Sequence, residues 1–340
     1  MNITDIDINE AEKTLLPKDM HFDDERRDFI KDLESCDLLA VPGSGKTTAL
    51  QAKLFCMARH LPLEKDQGIL VLSHTNNAVN EVKKKLYAEC NPLFEEPHFI
   101  GTVQDFVDKF LAIPYYEQFY KQKVHVIDSM AYEQEVERYL KASIWKLSKG
   151  TLYLYKKGVN FTDIRIQRTN DGSLKYTRGM DDELSIKPVK KWIREGTERQ
   201  KHEEIKADLN KMKQAILKKG ILHYDDCYIL ADAYIRKYPF VKMALRKRFK
   251  YVFIDETQDL KKYQLDLIDS IFDSDECCIQ RIGDKNQTIF NKPDRDIPDQ
   301  WNIRKVKYLQ NSLRLTESIA KVFNTFAFDN VAGNNSESMF

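Results

Sequence analysis

Leu38-Leu39-Ala40-Val41-Pro42-Gly43-Ser44-Gly45-Lys46-Thr47-Thr48-Ala49-Leu50 is the stretch that decides the fold. A short apolar run meets a Gly-rich turn, and apolar residues then recur at helical spacing at Leu50, Leu54, Met57 and Ala58. Strand, loop and helix in that order are the context a phosphate-binding loop requires. The glycines let the backbone curl until several N–H groups face one anion. The helix adds the positive end of its dipole. Pro42, Gly43, Ser44, Gly45, Lys46, Thr47 and Thr48 are therefore the expected phosphate cradle. Within it, Lys46 is expected on the β- and γ-phosphates of a nucleoside triphosphate, and the Thr47 hydroxyl on Mg²⁺. The general pattern opens with Gly, where this chain has Ala40.

Working outward, residues 1–35 are polar, with Phe22, Phe29, Ile30 and Leu33 spaced as in a helix that leads into the strand at 36–41. Gly68-Ile69-Leu70-Val71-Leu72-Ser73 is a continuous apolar run, as buried parallel strands are. A helix over 77–88 places Ala78, Val82 and Leu86 on one face, and a short strand is expected at His98–Thr102. Strands alternating with helices argue for a doubly wound α/β sheet. From about 104 to 222 the pattern is mainly helical and rich in Lys, Arg, Tyr and Trp. Gly158 and the turn Asn170-Asp171-Gly172 interrupt it, the latter between two short exposed strands. Such a surface can hold a nucleic-acid backbone and stack bases; equally, it is a solvated helical insert whose aromatics form a core. Sheet character returns at Tyr251-Val252-Phe253-Ile254 and Cys278-Ile279-Gln280-Arg281-Ile282. The helical segment is thus inserted between strands of one sheet.

The bulk numbers add limits. Apolar residues make up 42% of 340, enough for real cores in about two domains. The 54 basic and 53 acidic residues nearly cancel to a net charge of +1, so any affinity for nucleic acid must come from a local face. The six cysteines show neither C-x-x-C nor zinc spacing, which reads as reduced thiols in a cytoplasm. No apolar leader and no run long enough to span a bilayer is found, so no membrane partner is expected.

A second constellation follows the strand at 251–254: Asp255-Glu256-Thr257-Gln258-Asp259. Asp255, at a strand's carboxyl end, is placed to hold Mg²⁺. Glu256 could take a proton from an attacking water. Gly283-Asp284-Lys285-Asn286-Gln287-Thr288-Ile289-Phe290 comes directly after another strand, where the Gln287 carboxamide could feel a γ-phosphate or orient water.

Together these motifs resemble, in order and over roughly residues 20–325, a superfamily 1 DNA helicase of the UvrD/Rep/PcrA type. Ala40–Thr48 is similar to motif I, Ser73–Val82 to motif Ia, Gly101–Phe106 to the segment after it, Asp255–Asp259 to motif II and Gly283–Phe290 to motif III. Leu309 and Arg314 sit where motif IV has them. His223-Tyr224-Asp225-Asp226 resembles the segment ahead of motif II, and Asp225 there reads as a helix N-cap. The resemblance implies a RecA-like P-loop NTPase domain formed by 1–103 and 223–300, with 104–222 inserted and 301–340 opening a second domain. It implies ATP or another NTP with Mg²⁺, catalytic roles for Lys46, Glu256, Gln287 and Arg314, and single-stranded DNA on Thr75, Asn76, Thr102 and Phe106. The departures are specific. The family's adenine-reading Gln falls at Arg26, the basic residue after the motif I Thr is Thr48, and the adenine-stacking aromatic is Leu313, preceded by Ser312. Recognition of phosphates over base is the expected consequence. Neither motif V nor motif VI occurs before Phe340, so residues 1–340 alone are expected to turn over slowly. Two readings compete: an NTP-dependent DNA translocase or helicase, of which this is the N-terminal part, and a nucleotide- and DNA-binding regulatory subunit serving a nuclease in phage defence or repair.

Overall fold

The structure, a computed structural model, describes residues 1–169, 171–186, 189–284, 305–325 and 332–334. The chain folds into two compact units. One comprises Met1–Asp105 and Pro239–Phe340, the other Phe106–Tyr238.

The first unit is built on six parallel strands: β1 (Cys36–Ala40), β2 (Gly68–Ser73), β3 (Phe99–Thr102), β4 (Phe249–Ile254), β5 (Cys278–Gly283) and β6 (Val306–Leu309). Their order across the sheet is β6-β1-β5-β4-β2-β3. Helix α1 (Asp5–Leu15), α2 (Asp24–Lys31), α3 (Lys46–Ala58) and α4 (Asn76–Leu86) accompany it. Every residue of β1, β2 and β5 is buried, which is why these strands read as near-continuous apolar runs. Phe29, Ile30, Leu50, Leu54, Ile69 and Phe253 form the centre of the core, each worth about 1.5–3 kcal/mol on burial. Because the strands are parallel, the loops after β1, β4 and β5 leave from one edge, where ligands of such sheets bind. One boundary differs from expectation. Val306–Leu309, placed by the sequence in a second domain, pairs with β1 as an edge strand of this sheet. Leu309 is fully buried there, while Tyr308 stays exposed, as suits an edge strand.

Two ionic groups lie inside this sheet unit. Arg281 of β5 pairs with Asp37 of β1, and both are buried. Lys53 of α3 donates to the Asp32 carbonyl and to Gln280 Oε1, each at 2.6 Å, and lies 4.0 Å from the Phe29 ring centroid. Burial drives its ammonium down to about 7. Below pH 7 the folded and unfolded chains both hold the proton, and the burial cost is felt in full. Above pH 7 the folded chain has released a proton that the unfolded chain keeps, so the cost shrinks as pH rises. Stability relative to Lys53→Met is therefore expected to rise by about 1–2 kcal/mol between pH 6.5 and 8.5. Urea titrations at the two pH values check this, and an unchanged difference would refute it.

In the second unit, helices Ser129–Ala142 and Glu198–Leu217 pack Tyr132, Val136, Leu140, Leu209 and Ile216 into a separate core. The strands flanking the turn are present as an antiparallel pair, Ile164–Arg168 with Leu174–Arg178. They are not wholly exposed: Ile164, Arg165, Tyr176 and Thr177 are buried. The aromatics divide, since Trp192 joins the core while Trp145 is 96% exposed. The expected cap at Asp225 is corrected. His223 caps helix Tyr224–Lys237 by accepting from the Asp225 N–H at 3.0 Å, and the Asp225 carboxylate instead pairs with Arg165 at 2.9 Å. Among the described residues no helix is long and apolar enough to cross a membrane.

Candidate nucleotide site

The loop between β1 and α3 takes the shape its sequence calls for. Gly43 and Gly45 sit at φ +74° and +72°, in the left-handed region that glycine enters without steric cost. Gly45 is the residue before the first turn of α3, so the helix opens directly at Lys46. The Ser44 hydroxyl is buried and has no hydrogen-bond partner among the described residues. The half-buried Thr47 hydroxyl likewise makes no hydrogen bond among the described residues. Unmet hydroxyls beside a glycine-lined helix N-terminus are what a phosphate with its cation would satisfy.

β4 ends on the same edge and carries the acidic pair. The Asp255 N–H donates to the Leu72 carbonyl at 2.8 Å, which ties the end of β4 to β2. Burial, helped by the neighbouring Glu256 charge and opposed by Lys46, pushes the Asp255 carboxyl up to about 7. A divalent cation is the counter-charge such a carboxyl lacks. Glu256 stands at φ +51°, which costs a residue with a Cβ about 1–2 kcal/mol. The turn sends its side chain toward the phosphate loop. Lys46 Nζ donates to Glu256 Oε2 at 2.7 Å, and Gln258 Nε2 donates to the same oxygen at 2.5 Å. Gln258 Oε1 in turn accepts from the Asp284 N–H at 2.9 Å. The side chains of one acidic segment thus join the loops that follow β1, β4 and β5.

The segment after β6 lies against the phosphate loop. Strand β7 (Asn311–Thr316) brings Ser312 Oγ to the Pro42 carbonyl at 2.8 Å and the Leu313 N–H to the Gly43 carbonyl at 2.9 Å. Arg314 is exposed, and its guanidinium has no partner among the described residues. A Cβ at Gly43 would sit 2.8 Å from Arg314 Cβ, so only glycine permits this approach. Arg26 of α2 is buried and donates from Nε to the Ser44 carbonyl at 3.0 Å. Lys46, Glu256, Asp255, Thr47 and Arg314 are therefore all carried on elements around one loop, whereas Gln287 lies outside the described residues.

Residues 23–292 match the UvrD/REP helicase N-terminal domain. The chain belongs to that family. It is also 26% identical over 265 residues to the "Putative ATP-dependent DNA helicase YjcD" of Bacillus subtilis (strain 168), across 74% of this chain and 30% of that one. The chain thus spans about 30% of that relative's length.

Within this UvrD/REP helicase domain the four residues expected on DNA separate. Thr75 and Asn76 are exposed at the start of α4, where Thr75 Oγ1 accepts from the Ala78 N–H at 3.3 Å. Thr102 and Phe106 are both buried. Thr102 is buried, with its N–H donating to Asp105 Oδ2 at 2.9 Å and its hydroxyl accepting from the Asp105 N–H at 3.0 Å. Phe106 is fully buried, with its ring centroid 5.3 Å from that of Phe110. Two residues of the site carried no expected role. Gln258 stood in the quoted acidic motif without one, and Arg26 was singled out only for not being Gln.

Proposed function

We propose that this chain is the nucleotide-binding N-terminal part of an NTP-dependent single-stranded DNA translocase or helicase. The observation that carries the reading is the 2.7 Å bond from Lys46 Nζ to Glu256 Oε2, which joins the phosphate loop to the acidic motif. A lysine held there needs only a short movement to exchange a carboxylate for β- and γ-phosphate oxygens. Once it does, Glu256 keeps its bond from Gln258 and gains a free lone pair. Glu256 then accepts a proton from water as the water oxygen attacks the γ-phosphorus. The β–γ bridging oxygen leaves with the bonding electron pair, as nucleoside diphosphate. Asp255 and Thr47 would hold Mg²⁺, which when bound neutralises β- and γ-oxygen charge. The exposed Arg314 guanidinium is placed to meet phosphate charge.

DNA contact begins at Thr75 and Asn76. Helix α4 has no acidic side chain in its first turn, so its N-terminal N–H groups stay attractive to a phosphate. The test is paired. Wild-type chain should bind Mg-triphosphate, and Lys46→Ala should lose that binding while still binding single-stranded DNA. DNA affinity should fall steadily between 50 and 200 mM salt, at about 0.7 in log–log slope per phosphate contacted. Equal triphosphate binding by Lys46→Ala, or salt-independent DNA binding, would count against the reading.

A further inference from the structure

We infer that Arg26 is a positioning residue that presets the phosphate loop for the triphosphate alone, so that nucleoside triphosphates of any base, and inorganic tripolyphosphate, bind about equally. The inference deepens the nucleotide reading above and rests on it.

A trans peptide points its C=O and the following N–H in opposite directions. A carbonyl held from outside the loop therefore turns the next N–H to the inner face. Three successive carbonyls are held in this way. Ser312 Oγ holds that of Pro42 at 2.8 Å, the Leu313 N–H that of Gly43 at 2.9 Å, and Arg26 that of Ser44 at 3.0 Å from Nε and 2.5 Å from Nη2. The N–H groups of Gly43 and Gly45 are the ones turned inward by the first and third. The Ser44 N–H closes the turn on the Val41 carbonyl at 3.1 Å. Arg26 Nη2 also donates to the Asn311 carbonyl at 2.9 Å, so one guanidinium fixes both the loop and the strand lying on it. Asp23 takes Nη1.

Base reading is the function this arrangement gives up. The Arg26 guanidinium is buried and committed to two carbonyls and a carboxylate. A base-reading amide would have to present a donor and an acceptor together, and Arg26 has no acceptor. Leu313 Cδ1 lies 3.8 Å from where a Gly45 Cβ would stand, and Leu313 is 39% exposed. It offers a base an apolar face that does not distinguish purine from pyrimidine.

Calorimetry on the 340-residue chain with Mg-ATP, Mg-GTP, Mg-CTP and magnesium tripolyphosphate tests this. Wild-type affinities should lie within about tenfold of one another, because no buried base contact separates them. In Arg26→Met all four should fall together, by about tenfold or more, as charge-assisted bonds to the carbonyls are lost. Arg26→Lys should recover part of that loss, since an ammonium can hold one carbonyl but not two. Ser312→Ala removes one held carbonyl without disturbing a buried charge, and should give a smaller loss, again equal across ligands. If Arg26→Met does not fold, the wild-type series and Ser312→Ala carry the test. The inference is overturned by a wild-type preference for ATP of about a hundredfold or more, by an Arg26→Met effect confined to one base, by unchanged affinity in folded Arg26→Met, or by a base-selective effect of Ser312→Ala. A wild-type chain that binds none of the four ligands overturns the nucleotide reading itself, which is a distinguishable result.

Discussion

Replacing Glu256 with Gln is expected to slow triphosphate turnover by about 10²–10⁴ while binding stays intact or tightens. The first half follows from proton affinity: a carboxamide has the shape of a carboxylate but cannot take the proton of an attacking water. The second half comes from the geometry. Glu256 Oε2 now holds Lys46 at 2.7 Å, so the carboxylate competes with incoming phosphate for the same ammonium. Neutralising it removes the competitor and leaves the cation in place. Lys46→Ala removes the cation and leaves the competitor, so the two substitutions should move triphosphate affinity in opposite directions. Single-turnover assays with labelled γ-phosphate over hours, beside calorimetry, read both quantities even where turnover is slow. Wild-type turnover by Glu256→Gln would dismiss Glu256 as the base. Weakened binding would show instead that Lys46 needs its carboxylate partner to stay in position.

What could be read beforehand was whatever is local along the chain. The phosphate loop is contiguous, and its glycines, lysine and hydroxyls act through the strand and helix on either side of them. Asp255 and Glu256 were legible for the same reason, at the end of an apolar run. Contacts made across the chain were not. Arg26 meets Ser44 and Asn311, which stand 18 and 285 residues away, so nothing near Arg26 in the sequence signals what it holds. Gln258 bridges to Asp284 in the same way. The left-handed backbone at Glu256 was hidden because that conformation normally announces itself with glycine. The burial of Thr102 and Phe106 was hidden differently. Motif spacing assigns residue types to positions, but exposure depends on which neighbours arrive. Asp105 and Phe110, close by in sequence, are the partners these two residues meet. The placement of Val306–Leu309 was missed because a four-residue strand carries no mark of which sheet it joins.

Arg281→Leu is expected to destabilise the sheet unit by about 3–5 kcal/mol. Arg281 Nε and Nη2 meet Asp37 Oδ1 and Oδ2 at 2.8 and 3.0 Å, a two-pronged pair between directly opposed residues of β1 and β5. Nη1 also reaches Asp269 at 3.1 Å. Both Asp37 and Arg281 are buried, so leucine at 281 strands a carboxylate away from water. The cost arises from that stranded charge more than from the lost attraction. Asp37→Leu combined with Arg281→Leu removes both charges, and should therefore recover most of the loss, although each single change is severe. Asp269 is partly exposed and can turn to water, so it should not block the recovery. The pair also bears on the site. β1 ends in the phosphate loop and β5 in Asp284, and a slip between these strands would pull the Gln258 bridge away from Glu256. Urea unfolding of the two single variants and the double variant measures the coupling, with triphosphate binding read on each folded protein. A double variant as unstable as Arg281→Leu would mean that packing around Arg281, and not its pairing with Asp37, holds the two strands together.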